Sequence, residues 1–279
     1  MKHTIIADSC CNLFAKDLTN KMIDFHVIPL TIIIDEQEII DDENLNTLDL
    51  IAKMKTSKSY ARSACPTADA FYEKMRDADN VWIVTLSSKL SATHASAVTA
   101  VEQFKQEFPN KKVFIVDTLN ASSGIDHILF HLRDLIMAEK YSFDEIGVKI
   151  LEQRNKTAVR FMLQDLTNLI KNGRLNKVVG KVLSAAHVKL ICGDDGQGEI
   201  KKYGLALTVR QGHMKLADMP IEMVTTDKPI FISHVHNEVD AKLLEEILRN
   251  KHGFKDVQTR PMRGISSMYA NDKGIILAF

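Results

Sequence analysis

The stretch V-W-I-V-T-L-S-S-K-L-S-A-T, residues 81–93, decides the fold. Its first part, Val81 to Leu86, is almost wholly apolar, which is typical of a strand buried on both faces of a sheet. The pattern from Ser91 to Phe108 is long and amphipathic and predicts a helix. Because the strand leads directly into the helix, the sequence predicts an α/β architecture in which helices connect parallel strands.

The sequence on either side of this stretch repeats the alternation. Predicted strands lie at Lys2–Ala7, His26–Ile34 and Val113–Val116, and predicted helices at Asn46–Met54, Thr67–Met75 and Ser123–Ala138. Strands and helices at this spacing need crossover connections, which place the strands parallel to one another. We therefore expect residues 1–155 to form an α/β domain with a mostly parallel sheet flanked by helices.

The pattern changes after a predicted capping box, Ser142-Phe-Asp-Glu145, which opens a helix to about Asn155. Predicted strands follow at Val159–Leu163, His187–Cys192, from Glu199, and at Pro229–His236, Asp256–Met262 and Ile265–Ala270, with helices at Asp165–Lys171 and Val239–Arg249. Gly173 is expected to close the first of these helices. Residues 156–279 are thus predicted to form a second domain of the α+β class.

Composition excludes several classes of protein. The chain has 279 residues, with 36 Lys plus Arg and 36 Asp plus Glu, so its formal charge of zero argues against nucleic acid as a partner. No apolar run approaches the roughly 18 residues that a membrane span needs. The four cysteines form no C-x-x-C pair, and the charged start is unlike a signal peptide. We expect a cytoplasmic protein without disulfides.

Hydroxyl side chains are concentrated where predicted strands end and helices begin. Residues 87–93 contain four of them, including Ser91 and Thr93, whereas capping the helix would need only one. Ser63 and Ser9 lie at comparable strand ends. In open α/β sheets such ends form a ligand crevice, and a helix amino terminus favours an anion. These hydroxyls are expected to converge on one ligand, as hydrogen-bond donors.

Two other sets of residues have competing interpretations. His234 and His236 alternate on a predicted strand and could hold a metal, but no third ligand is evident, so no metal and no cofactor is expected. The adjacent Cys10 and Cys11 are interpreted as small buried side chains, because nothing near them indicates a lowered thiol pKa.

Six segments together resemble the DegV family of bacterial fatty-acid-binding proteins, the carriers that serve fatty acid kinase. Ala7-Asp-Ser9 is similar to the family's T-D-S, Val27-Ile-Pro-Leu30 to V-P-L, Ser63-Ala-Cys-Pro-Thr67 to T-S-Q-P-S, Ser87-Ser-Lys-Leu-Ser-Ala-Thr93 to S-S-K-L-S-G-T, Val116-Asp-Thr118 to V-D-S, and Asp165-Leu to Asn172-Gly-Arg-Leu175 to D-L…G-G-R-I. The resemblance runs from the first strand to about residue 260.

The resemblance implies a two-domain protein that encloses one long-chain fatty acid in a buried tunnel. The carboxylate is then held by Ser63 and Ser91, and Ala92 stands where the family has a glycine close to the ligand. Arg174 corresponds to a family arginine at the tunnel mouth, exposed to the partner, a dihydroxyacetone-kinase-like fatty acid kinase. The implied role is a non-catalytic lipid carrier.

One family feature is missing. The family has a histidine followed by x-G-P-G near its carboxyl terminus, whereas this chain has Ser267-Met-Tyr-Ala-Asn-Asp-Lys273 in the matching stretch. An atypical member that binds another lipid-like or anionic ligand without a kinase therefore remains an alternative. So do a serine hydrolase with Ser91 as nucleophile and His94 as base, and a nucleotide-binding module, although the chain lacks a glycine fingerprint.

Overall fold

The computed structural model describes residues 2–175 and 189–279. In its N-terminal part, strands β1 (His3–Asp8), β2 (Ile23–Ile28), β6 (Asn80–Thr85) and β7 (Lys112–Asp117) form a wholly parallel sheet. The strand order is β2-β1-β6-β7, and β6 is buried along its whole length. The apolar run that opens the deciding stretch is thus a central strand, which confirms the predicted α/β class.

A small antiparallel sheet departs from the prediction. The sequence predicts one strand from His26 to Ile34, but the chain leaves the parallel sheet after β2 and forms β3 (Thr31–Ile34) in another sheet. Pro29 lies between them and has no N–H to donate to a strand ladder, so it separates the two strands. β3 pairs with β4 (Gln37–Ile40) and β5 (Arg62–Ala64), and this pairing fixes the position of Ser63.

Helices cover both faces of the parallel sheet. The N-terminal part contains α1 (Ala15–Leu18), α2 (Thr47–Thr56), α3 (Ala68–Met75), α4 (Thr93–Glu107), α5 (Ser123–Met137) and α6 (Phe143–Lys156). The sheet, α3 and α4 share one apolar cluster that includes Phe71 and Phe104. The capping box predicted for α6 is present, since Ser142 Oγ accepts the N–H of Glu145 and the Glu145 carboxylate accepts the N–H of Ser142.

The C-terminal part is built on a mixed sheet. Its strands are β8 (Val159–Met162), β9 (Lys189–Asp194), β10 (Ile200–Ala206), β11 (Ile230–His234), β12 (Val257–Pro261) and β13 (Ile275–Ala278), in the order β10-β9-β8-β13-β11-β12. Only β11 and β12 pair in parallel. The predicted α+β class is confirmed. The predicted start of β9 at residue 187 lies outside the described residues, and the division at residues 155/156 stays a prediction.

The described residues of this part contain the helices α7 (Thr167–Lys171), α8 (Val209–Asp218), α9 (Glu238–Glu246) and α10 (Gly264–Ala270), with a 3-10 turn at Met219–Glu222 and a π turn at Ile247–Lys251. The predicted strand at Ile265–Ala270 is wrong, because these residues belong to α10. The carboxylate of Asp41 accepts the N–H groups of Gly264 and Ile265, 3.0 and 2.9 Å away, and so completes the start of the helix.

Helix α5 joins the two parts, because it packs against β6 on one side and against β11 and β13 on the other. Gly124 lets it approach closely, since a Cβ there would lie 2.8 Å from Cβ of Asn120 and 2.6 Å from a methyl group of Val159. No helix in the described residues is long and apolar enough to cross a lipid bilayer.

Candidate functional site

A cavity lies where the two parts of the chain meet. It encloses about 850 Å³ of space not occupied by protein atoms, its open mouth included. Its wall is mostly aliphatic and aromatic, with side chains from both parts: Leu30, Leu86, Leu90, Leu119, Val159, Phe161, Leu163, Leu169, Ile200, Ile265 and Ile276. Ser63, Ser91, Arg174 and Tyr269 add polar groups to this wall. An amphipathic ligand with a long apolar part fits such a lining.

Ser91 lies on the cavity wall at the junction of β6 and α4. Its Oγ accepts the N–H of Thr93 at 3.3 Å and lies 2.9 Å from the Thr93 hydroxyl. Ser91 therefore accepts a hydrogen bond from the first residue of α4, but it is not the N-cap residue and α4 has no side-chain cap. Ala92 occupies the N-cap position and Thr93 is fully buried, and neither lies on the described cavity wall.

Ser63 reaches the same cavity from β5. Its Oγ lies 2.9 Å from the phenol oxygen of Tyr269, which belongs to α10. Ser63 and Ser91 thus line one cavity, although they are far apart in the sequence, and their joint binding of a ligand stays a prediction. The position of Ser63 depends on β3, which pairs with β5.

Ser9 is not part of the cavity wall. It is fully buried, and its Oγ accepts the N–H of Leu30 at 3.0 Å. Asp8 beside it accepts the N–H groups of Cys10 and Leu86, at 3.0 and 2.7 Å. Burial raises the pKa of Asp8 to about 7, against the opposing effect of these hydrogen bonds. The end of β1 therefore tethers neighbouring loops rather than presenting donors to a ligand.

Arg174 is half-buried, which corrects the expectation of an exposed side chain. It lines the cavity, and its Nε and Nη1 donate to the carbonyl groups of Leu90 and Asn172, at 2.5 and 2.7 Å. Gly173 before it has a φ of +72°, as expected for the residue that closes α7. Because Leu90 precedes Ser91, Arg174 holds the loop that carries the candidate serine.

A hairpin turn of the C-terminal part closes over the same loop. Ser87 Oγ donates to the carbonyl of Gly198 at 2.7 Å, and Asp194, Gly198 and Glu199 line the cavity. Gly198 has a φ of +95°, which favours glycine. A Cβ there would also lie 2.5 Å from Ser87 Oγ. Gly198 therefore allows close packing between the two parts.

Sequence reasoning missed several cavity residues, among them Tyr269, Ser122 and Ser266. Ser122 has a φ of +53°, which is rare for a residue other than glycine, and its Oγ contacts Asn12 Nδ2 and Ser233 Oγ at 3.1 and 3.0 Å. The segment Ser122-Ser-Gly124 lies between a strand and a helix, and this pattern could have predicted Ser122 as a cavity residue. Tyr269 lacked any such pattern, because its segment was predicted as a strand.

The residues named in the hydrolase and metal alternatives contact other partners in the structure. His94 Nδ1 lies 2.9 Å from the Thr85 hydroxyl, and the hydroxyl partner of Ser91 is Thr93, so no described contact links Ser91 to a base. His234 ends β11, whereas His236 lies beyond it and contacts Thr47 Oγ1, so the two do not alternate on one strand. The described residues contain no group of three or more His, Cys, Asp or Glu that could hold a metal ion.

The two adjacent cysteines match their interpretation as small buried side chains. Cys10 and Cys11 are buried and free, and burial raises the pKa of both thiols above their ordinary value. A raised pKa leaves the thiols protonated and therefore poorly nucleophilic.

Comparison with known proteins agrees with this architecture. A DegV domain-containing protein of Streptococcus gordonii is 29% identical over 281 residues, which cover 100% of this chain and 99% of that protein. The Streptococcus pneumoniae Fatty Acid Kinase (Fak) B3 protein, solved loaded with linoleic acid, superposes with a TM-score of 0.95 at 27% identity, over 100% and 99% of the two chains.

A DegV family protein from Ruminococcus gnavus, solved with vaccenic acid, has a TM-score of 0.92 at 29% identity, over 100% of this chain and 99% of that one. A DegV family protein from Eubacterium eligens, loaded with heptadecanoic acid, has a TM-score of 0.91 at 28% identity, over 99% of this chain and 98% of that one. A protein-family model with the description "Uncharacterised protein, DegV family" matches residues 2–277 of this chain. The chain therefore belongs to the DegV family.

Proposed function

We propose that this protein binds one long-chain fatty acid in the cavity, with the carboxylate held by the hydroxyls of Ser63 and Ser91. The observation that carries the proposal is the wall itself, which consists mostly of apolar side chains and also contains Ser63, Ser91 and Arg174. The fatty acids in three neighbouring DegV structures support the ligand class.

The apolar wall supplies most of the affinity in this account. Burial of about 14 methylene groups at about 0.8 kcal/mol each gives roughly 11 kcal/mol as an upper figure. A carboxylate transferred from water into such a cavity needs several donors, because an unpaired buried charge is very costly. The hydroxyls therefore determine which end of the ligand lies at Ser63 and Ser91, and the protein acts as a carrier rather than as an enzyme.

The proposed carrier presents its ligand to a fatty acid kinase, with Arg174 beside the transferred phosphate or the partner. The guanidinium group is suited to this role, because it can donate to phosphate oxygens in two places. The Fak B3 protein, a member of a kinase system by its name, supports the assignment. The variant Arg174→Ala, saturated with fatty acid so that affinity is not limiting, is expected to abolish acyl phosphate formation, whereas Lys171→Ala on the exposed face of α7 retains it. Full turnover by Arg174→Ala would contradict this role.

The ligand class is tested by mass spectrometry of an organic extract from the purified protein. We expect about one long-chain fatty acid per chain, and a reduced content in the double variant Ser63→Ala/Ser91→Ala. Ser88→Ala is the matched control, since Ser88 is exposed in the same loop and does not line the cavity. A protein that carries no fatty acid and binds none when palmitate is added would refute the proposal.

A further inference from the structure

Tyr269 occupies an unusual position on the cavity wall. It comes from the C-terminal part, on α10, and its phenol oxygen lies 2.9 Å from Ser63 Oγ in the N-terminal part. Helix α10 is anchored by the Asp41 carboxylate, which accepts the first two N–H groups of the helix. The pair of hydroxyls therefore joins the two parts of the chain at the place where the proposed carboxylate lies.

The chemistry of this pair changes when an anion arrives. Two neutral hydroxyls alone form one hydrogen bond, in which one donates and the other accepts. A carboxylate only accepts, and its two oxygens offer about four lone-pair positions, so both hydroxyls can then donate to it. Burial raises the pKa of Tyr269 above its ordinary value, against the opposing effects of Ser63 and Arg174, so the phenol keeps its proton.

We propose that Tyr269 is a third donor of the head-group site and that it makes the cavity select an ionised carboxylic acid over an uncharged lipid of the same chain length. The inference rests on the proposed fatty-acid function. Hydrogen bonds to a charged acceptor are shorter and roughly twice as strong as those between neutral groups. An alcohol or an ester therefore gains less from the phenol than the acid does.

The selectivity also depends on how the donor is held. Tyr269 is partly buried and belongs to a helix whose start is fixed by two hydrogen bonds, so little side-chain freedom is lost when the ligand binds. Ser63 is likewise held by a strand ladder, through its pairing with Ile32. The two donors are therefore in position before the carboxylate enters, and the hydrogen bond between them holds both hydroxyls in place.

The test compares Tyr269→Phe with wild-type protein against two ligands, palmitic acid and hexadecanol. Removal of the phenol hydroxyl is expected to weaken binding of the acid about 10- to 150-fold and binding of the alcohol, which loses only a hydrogen bond between neutral groups, about 2- to 13-fold. Tyr72→Phe is the matched control, because the Tyr72 hydroxyl bonds Glu107 on the surface of α3 and α4 and does not line the cavity. It is expected to leave both affinities unchanged.

A double-mutant cycle with Ser63→Ala provides a second readout. If both hydroxyls donate to one carboxylate, the effects of Tyr269→Phe and Ser63→Ala on palmitate affinity are non-additive. Should Tyr269→Phe prove too unstable to purify, Tyr269→His tests the same claim, because its ring N–H keeps a donor. It is then expected to bind the acid within about tenfold of wild type.

The outcomes separate the two proposals. Wild-type protein that binds neither palmitic acid nor its own extracted lipid would refute the proposed function. Wild-type protein that binds palmitic acid while Tyr269→Phe loses equal affinity for acid and alcohol, or for neither, would refute the role of Tyr269 alone.

Discussion

The ends of β1 and β6 both carry hydroxyl side chains but differ in what surrounds them. At the end of β1, Asp8 and Ser9 are fully buried and accept hydrogen bonds from backbone N–H groups, among them those of Leu86 and Leu30 in other loops. At the end of β6, Ser91 lies on the cavity wall beside Arg174. The two sites are neighbours, since Leu86 of the β6 end donates to Asp8 of the β1 end.

The difference lies in what surrounds each hydroxyl. The β1 end is enclosed by the loops that it tethers, so its polar groups are satisfied by protein. The β6 end faces the space between the two parts of the chain, where a ligand can supply the partner. Substitutions at the β1 end should therefore change stability, and substitutions at the β6 end should change ligand affinity.

The largest effect is expected for Asp8→Ala. The change removes the acceptor of two buried N–H groups, each worth about 1–3 kcal/mol when left unsatisfied, so the free energy of unfolding should fall by about 2–6 kcal/mol. Urea denaturation at pH 4, where the contribution of Asp8 is fully present, measures it. Asp77→Ala, at an exposed turn, is the control and should stay within about 0.5 kcal/mol of wild type. Equal stability of the two variants would remove the structural role assigned to the β1 end.

The pH dependence of stability distinguishes the β1 end in another way. Burial raises the pKa of Asp8 from 3.8 to about 7, so between these values the folded protein binds more protons at this group than the unfolded chain does. The contribution of Asp8 is therefore fully present below about pH 4 and is lost as the pH rises towards 7. At 1.36 kcal/mol for each pKa unit, the loss is at most about 4 kcal/mol.

Its measurement is the difference in unfolding free energy between wild type and Asp8→Asn at pH values from 4 to 8. Because the amide does not titrate, the difference should shift in favour of Asp8→Asn as the pH rises. Subtraction removes the contributions of the other carboxyl groups, several of which have lowered pKa values, such as those of Asp35 and Glu145. A difference that does not vary with pH would show that Asp8 is ionised throughout.

Ser9→Ala and Ser91→Ala form a matched pair that tests the comparison itself. Ser9→Ala leaves the N–H of Leu30 unpaired and should lower the free energy of unfolding by about 1–3 kcal/mol. Ser91→Ala should weaken palmitate binding about 10- to 150-fold. Urea denaturation and palmitate titration of both variants give two free energies of unfolding and two affinities. If Ser9→Ala weakens binding more than Ser91→Ala does, the two ends have been assigned in reverse.

The smallest effect is expected for Ala92→Gly. Ala92 has a φ of −74°, so its conformation does not require glycine, and it does not lie on the described cavity wall. The substitution should lower the free energy of unfolding by about 0.4–1 kcal/mol, through the greater freedom of the unfolded chain, and leave palmitate affinity unchanged. A marked gain in affinity would mean that the backbone at this position contacts the ligand.

The architecture was predictable where structure depends on local pattern. The apolar run of β6, the capping box of α6 and the glycine that closes α7 are each determined within a few residues, and all three are present. Helix α10 was not predictable, because its start is completed by Asp41, more than 200 positions earlier in the chain. The break between β2 and β3 could have been found from Pro29 alone.

The candidate site was predictable only in part for a similar reason. The pattern of hydroxyls before predicted helices selected Ser63 and Ser91, and both line the cavity. Only Ser91 follows a strand of the parallel sheet, where strand ends meet at one edge, whereas Ser63 lies within the antiparallel strand β5. The pattern could not separate Ser9 from these two, because burial of Ser9 depends on the loop at Leu30. Tyr269 required the tertiary structure, since it belongs to a helix that the local sequence does not indicate.

The most direct test of the central claim is a crystal structure of the protein loaded with palmitate. The account predicts that the carboxylate lies within hydrogen-bond distance, about 2.5–3.0 Å, of both Ser63 Oγ and Ser91 Oγ, with the chain along the apolar wall of the cavity. A carboxylate placed at the opposite end of the cavity, or beside Asp8 and Ser9, would contradict it.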